Sequence, residues 1–162
     1  MLTYPGYRGH NLTIIGAIGG NRDHDHLVWS YQVVPTTNTQ HVLSYLDKLL
    51  EDAGVPENQI TIVWDNHGAH TSLDTRARMT QLQCDFIYLP PYSCVLNPCE
   101  HMWAAVKKHF AKRVQEFGLD FPADEFEPSV AFCCRQAGQG ATMDILHSHD
   151  KYMAKIDNGE FV

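Results

Sequence analysis

Two carboxylates, each set in a distinctive local sequence, constrain this chain more than any other feature. Asp65 ends the apolar run of ITIVWDNHGAH, and Glu100 lies just inside the Asn-Pro helix start of YLPPYSCVLNPCEHMWAAVKKHF. Thirty-four residues separate them. Ile60 to Trp64, apolar after Thr61, has the composition of a strand buried on both faces. Open α/β sheets place their ligand sites beyond the carboxyl ends of such strands, which is where Asp65 stands. The remainder of the chain reads as scaffolding that brings Asp65 and Glu100 together.

The flanking pattern supports a mixed α/β domain. Leu12 to Ile18 and Leu27 to Val34 are β-branched and apolar, and form a predicted hairpin whose loop exceeds two residues. Pro35 stops the second strand, and Thr39 is the expected cap of a helix reaching Ala53. Val42, Leu43, Leu46, Leu49 and Leu50 recur at helical spacing and form its predicted buried stripe. After the Asp65 strand, Ser72 or Thr71 caps a helix to about Leu82, and Cys84 to Leu89 is the next strand. Asn97 then caps a long helix, with Pro98 at the first position, where its missing N–H costs nothing. That helix runs to about Phe117. Gly118 to Pro128 is an acidic loop, and Ser129 to Ile156 forms one or two helices interrupted near Gly138 and Gly140. The order strand, strand, helix, strand, helix, strand, helix fits residues 1–117 as one core, with 118–162 as a helical extension.

At 162 residues the chain suits one domain. A net charge of −7 opposes a polyanionic partner unless that partner meets a local basic face or metal ions. Lys107, Lys108, Lys112 and Arg113 supply such a face; as readily, they are a solvated helix surface. Five cysteines without a CxxC pair argue against a disulfide framework and a structural zinc site. No apolar run of about 18 residues appears, so neither a membrane span nor export is expected, and the default is an intracellular protein.

Asp65 and Glu100 each have a plain structural reading. An Asp after a strand forms turns, and a Glu in a first helical turn complements the helix dipole or closes a capping box. Taken together they are also hard oxygen ligands suited to Mg²⁺ or Mn²⁺. Ten histidines include His24, His26, His67, His70, His101, His147 and His149 at short spacing. With no HExxH helix they make a poor zinc site, and His147 with His149 reads as a solvated helix end.

The words around the two acids are more specific. WDNHGAH followed by LPPYSxxLNPxEHMWxxVKK resembles the catalytic core of the mariner-like superfamily of DDE transposases, over roughly Gly6 to Lys112. The spacing matches the branch whose third acid is glutamate, and GHNLTIIGAIGG resembles the strand after the first acid. The resemblance implies a ribonuclease-H-like mixed sheet with flanking helices. It implies DNA cleavage and joining with two Mg²⁺ or Mn²⁺ ions held by three carboxylates. Asp65 then matches the second catalytic aspartate and Glu100 the catalytic glutamate, both as metal ligands. Asn66 and His70 match family positions as well; Asn66 would fix the loop, and His70 would orient a metal-bound water or a DNA phosphate. The ordinary alternative for His70 is a histidine satisfied at a loop–helix junction.

Three departures stand out. Cys94, Val95 and Cys99 replace a proline, an aspartate and an isoleucine of the family's pre-helix loop. The family's upstream helix-turn-helix region has no counterpart in this chain. Its first catalytic aspartate belongs on a strand before GHNLTIIGAI, and Asp23 and Asp25, in the predicted hairpin turn, are poor substitutes. That strand would be the central one, so its loss exposes two strand edges. The sheet would close directly, recruit Met1 to Tyr7, or pair with a second copy.

Two functional readings follow. One is a transposase-type endonuclease and strand transferase acting on transposon ends and target DNA, nuclear in a eukaryote and cytoplasmic otherwise. The other is a catalytically inactive fragment or domesticated module that binds nucleic acid or forms a homodimer.

Overall fold

The structure, a computed structural model, describes residues 12–20, 27–117 and 122–157. The elements run β1 (Thr13–Gly20), β2 (Leu27–Val34), α1 (Thr39–Ala53), β3 (Thr61–Trp64), α2 (Leu73–Gln81), β4 (Asp85–Tyr88), α3 (Cys99–Phe117) and α4 (Phe126–Asp157). They divide into two compact units, Met1–Ala17 with Ser30–Asn97, and Ile18–Trp29 with Pro98–Val162. The predicted hairpin loop, with Asp23, His24, Asp25 and His26, and the Met1 to Tyr7 segment lie outside the described residues.

In the first unit, α1 starts at Asn38 rather than at a Thr39 cap. The Asn38 side-chain oxygen accepts from the His41 N–H at 2.9 Å, and its backbone is extended (φ −139, ψ 173), as a cap requires. Thr39 is already inside the helix. Gly54 ends it at φ 64, a left-handed conformation that costs glycine little, and its N–H closes on the Glu51 carbonyl. The buried stripe is Val42, Tyr45, Leu46, Leu49 and Ala53. Leu43 and Leu50 fall at its margin, and Tyr45 replaces them because its hydroxyl finds a buried acceptor, the Ser30 carbonyl, at 3.1 Å.

β3 and β4 pair in parallel, with Ile62 opposite Phe86 and Trp64 opposite Tyr88, and α2 makes the crossover such pairing needs. Ile62 and Trp64 are buried, but Val63 is 55% exposed and its partner Ile87 53%. The expectation of a strand buried on both faces is therefore corrected. This pair has one buried face and one open face, so its alternation is that of a half-buried strand. β1 pairs with β2 in a second two-stranded sheet. Among the described residues neither β1 nor β2 pairs with β3 or β4.

The second unit is built on α3 and α4. Met102, Val106 and Phe110 recur every fourth residue on α3 and are buried, as are Phe126, Val130, Cys133, Cys134 and Ala137 on α4. α4 runs unbroken through Gly138. The glycine serves a close approach instead of a break: a Cβ there would lie 2.1 Å from Cδ1 of Trp29. The Trp29 indole N–H donates to the Cys134 carbonyl at 2.8 Å, and its ring meets Trp103 edge-on at 5.7 Å. No described helix is long and apolar enough to cross a membrane.

Candidate active site

The end of β3 builds the site around Asp65. The Leu89 N–H donates to the Trp64 carbonyl at 2.8 Å, extending the β3–β4 ladder to the last residue before Asp65. Beyond it, the side-chain amide of Asn66 donates to the Leu89 carbonyl at 2.6 Å, tying the Asp65 loop to the end of β4. The chain then turns through Gly68 and Ala69 into α2. Ser72 caps α2 on the Thr75 N–H, and the buried Thr75 hydroxyl donates to the Ala69 carbonyl at 2.8 Å. The loop is thus held from both sides by neutral hydrogen bonds to backbone.

Within that frame Asp65 Oδ1 accepts from the His67 N–H at 3.1 Å and lies 2.7 Å from His70 Nδ1. The hydrogen bond to His70 is the main reason that the Asp65 carboxyl titrates below its ordinary range; partial burial opposes it, and the His67 N–H adds to it. A carboxylate only accepts, so Nδ1 of His70 carries the proton of this bond. The Asp65 side chain remains 54% exposed, whereas that of His70 is 14% exposed. The His70 ring packs on Trp64 at 4.4 Å between centroids and lies 5.5 Å from the His67 ring. The Tyr88 hydroxyl donates to the His70 carbonyl at 3.0 Å. Tyr88 escaped the sequence reading, because a bond to a backbone carbonyl eighteen residues away leaves no local pattern.

Glu100 is exposed in the first turn of α3, in the second unit. Asn97 has extended backbone and donates its N–H to the Cys94 carbonyl, closing the short 3-10 turn Cys94–Leu96 just before that helix. Lys107, two helical turns after Glu100, shares its exposed face, with Lys108 and Lys112 turned partly round the helix, and all three are exposed. Arg113 faces elsewhere. Its Nε donates to the Ser129 hydroxyl at 3.2 Å, and its guanidinium stacks over Phe117 and Phe132 at 5.0 and 4.9 Å. It therefore joins α3 to α4. Among the described residues no three His, Cys, Asp or Glu side chains form a cluster that would hold a metal ion. As a single ligand Asp65 does suit a hard cation: it is ionised, half-exposed, and bonded through one oxygen only.

The family described as DDE superfamily endonuclease matches residues 3–118, which include both Asp65 and Glu100. The chain belongs to this family. A search of curated proteins finds no match. Among solved structures, this DDE domain is similar to a chain in the cryoEM structure of the simian T-cell lymphotropic virus intasome in complex with PP2A regulatory subunit B56 gamma. The likeness has a TM-score of 0.55 at 14% identity and covers 83% of this chain. It spans 50% of the matched chain, so this chain accounts for half of that one's length. At such identity it speaks for the fold alone. The short parallel and paired strands with flanking helices are thus a ribonuclease-H-like mixed α/β fold. DDE superfamily endonucleases generally use divalent metals.

Proposed function

We propose that this chain is the catalytic-core portion of a transposase-type DNA endonuclease, which cleaves DNA phosphodiesters and joins the ends. The observation that carries the reading is the family match across residues 3–118, which takes in both acids. Asp65 and Glu100 would hold Mg²⁺ or Mn²⁺, with two ions expected in the complete site. When bound, such ions activate an attacking water or DNA 3′-hydroxyl and stabilise the leaving oxygen. The chain's own residues prepare for this. Asn66 anchors the loop that carries Asp65, and His70 keeps that carboxylate ionised. Lys107, Lys108 and Lys112 offer a local cationic face to phosphates, in a chain whose net charge is −7. Arg113 instead acts inside the helix pair. The partners proposed are transposon ends and target DNA, in the nucleus of a eukaryotic host or the cytoplasm otherwise.

The test is nicking of supercoiled plasmid bearing terminal-repeat DNA, with Mn²⁺ supplied. Nicking is expected to need Mn²⁺ and to be lost in Asp65→Ala and Glu100→Ala. Nicking that survives Asp65→Ala would overturn the role given to Asp65. DNA binding without nicking at any Mn²⁺ concentration would replace the enzyme with a binding module.

A further inference from the structure

A half-exposed aspartate is ordinarily a loose ligand. Its carboxylate rotates about a broad terminal torsion, and its two oxygens exchange places. Asp65 is not free in this way, since both of its hydrogen bonds, from His70 Nδ1 at 2.7 Å and from the His67 N–H at 3.1 Å, fall on Oδ1. Neither engages Oδ2. The donor that matters is itself immobilised. The imidazole lies against the buried Trp64 indole, the His70 N–H donates to the His67 carbonyl at 2.9 Å, and its carbonyl takes the Tyr88 hydroxyl. A relay thus runs from β4 through Tyr88 and His70 to the carboxylate that ends β3.

We propose that His70 is a positioning residue that locks Asp65 Oδ1, with Tyr88 bracing it, so that Asp65 offers a divalent cation the single oxygen Oδ2. This rests on the reading of Asp65 as a metal ligand. The lock is a role of Nδ1, which is spent on Asp65, and leaves Nε2 as the ring nitrogen for any contact with water or phosphate. Partners of this kind orient a ligand before the metal arrives, and losing one typically weakens metal affinity by about 10–100-fold.

The test uses the full chain in two measurements. The first is ¹⁵N NMR of the histidine rings without metal. His70 is expected as the Nδ1–H tautomer, with a nitrogen shift that moves in Asp65→Asn. An Nε2–H tautomer, or no response to Asp65→Asn, overturns the lock. The second is Mn²⁺ affinity by calorimetry. His70→Ala is expected to weaken it by about 10–100-fold. His70→Asn should restore most of it, because its amide N–H stands where Nδ1–H does, and Tyr88→Phe should lose part. Thermal unfolding of the same variants shows whether they fold; His70→Asn and Tyr88→Phe carry the test if His70→Ala does not. Equal Mn²⁺ affinity in wild type and His70→Ala overturns positioning alone. Equal affinity in wild type and Asp65→Ala sinks the metal-ligand reading, and this inference with it.

Discussion

His70 Nδ1 sits 2.7 Å from Asp65 Oδ1, with the imidazole largely buried and the carboxylate half in water. The bond draws the Asp65 pKa down, so Asp65 stabilises the fold when ionised. That contribution is complete above the unfolded carboxylate range, near about 3.9, and disappears as pH falls through the lower folded value. In His70→Ala the Asp65 midpoint should move up, and the stability gap between variant and wild type should narrow in acid. A carboxyl-carbon NMR titration of both proteins measures this. A midpoint unchanged or lower in His70→Ala would show that another group holds the carboxylate down.

Gly138 gives the second prediction. Replacing a mid-helix glycine by alanine ordinarily gains about 1 kcal/mol. Here the new methyl would stand 2.1 Å from Cδ1 and 2.8 Å from Nε1 of Trp29. The ring cannot swing away without losing its bond to the Cys134 carbonyl. Overpacking of about 1–3 kcal/mol should exceed the helical gain, so Gly138→Ala is expected to lower stability in urea unfolding. A more stable variant would mean that the indole gives way at little cost.

The cysteines supply the third. Burial pushes the Cys133 thiol up to about 11 and that of Cys134 up to about 12, whereas Cys94 is exposed in the turn before α3. At pH 8 only about one Cys134 in ten thousand is a thiolate, and it is shielded as well. Iodoacetamide should therefore modify Cys94 first, and reach Cys133 and Cys134 only when the protein unfolds. Peptide mass spectrometry reads the order. Native-state labelling of Cys134 at the Cys94 rate would contradict the packing of α3 on α4.

Much of the local structure was legible in the residues because it depends on near neighbours. β2 spans Leu27–Val34 and α3 ends at Phe117 as the patterns predict, and Ser72 is one of the two caps foreseen for α2. Where two chemically equivalent residues compete, the pattern cannot choose. Asn38 and Thr39 are both good caps, and only backbone conformation separates them. Leu43 and Tyr45 lie on opposite flanks of the helix's buried stripe, and the flank that is buried is the one where the Ser30 carbonyl, fifteen residues away, receives the Tyr45 hydroxyl.

The same division runs through the candidate site. The sequence by itself determined the identity of the acids, the family they belong to, and the position of Asp65 beyond a strand, since these follow from residue type and spacing. Tertiary structure alone decided the rest. It left Val63 open to solvent, sent Arg113 into the helix pair, let Gly138 admit an indole, and turned His70 toward Asp65 under the brace of Tyr88. Each of these depends on which distant groups meet. Periodicity and motif spacing record which residues are present along the chain, and hydrogen-bond geometry exists only once it has folded.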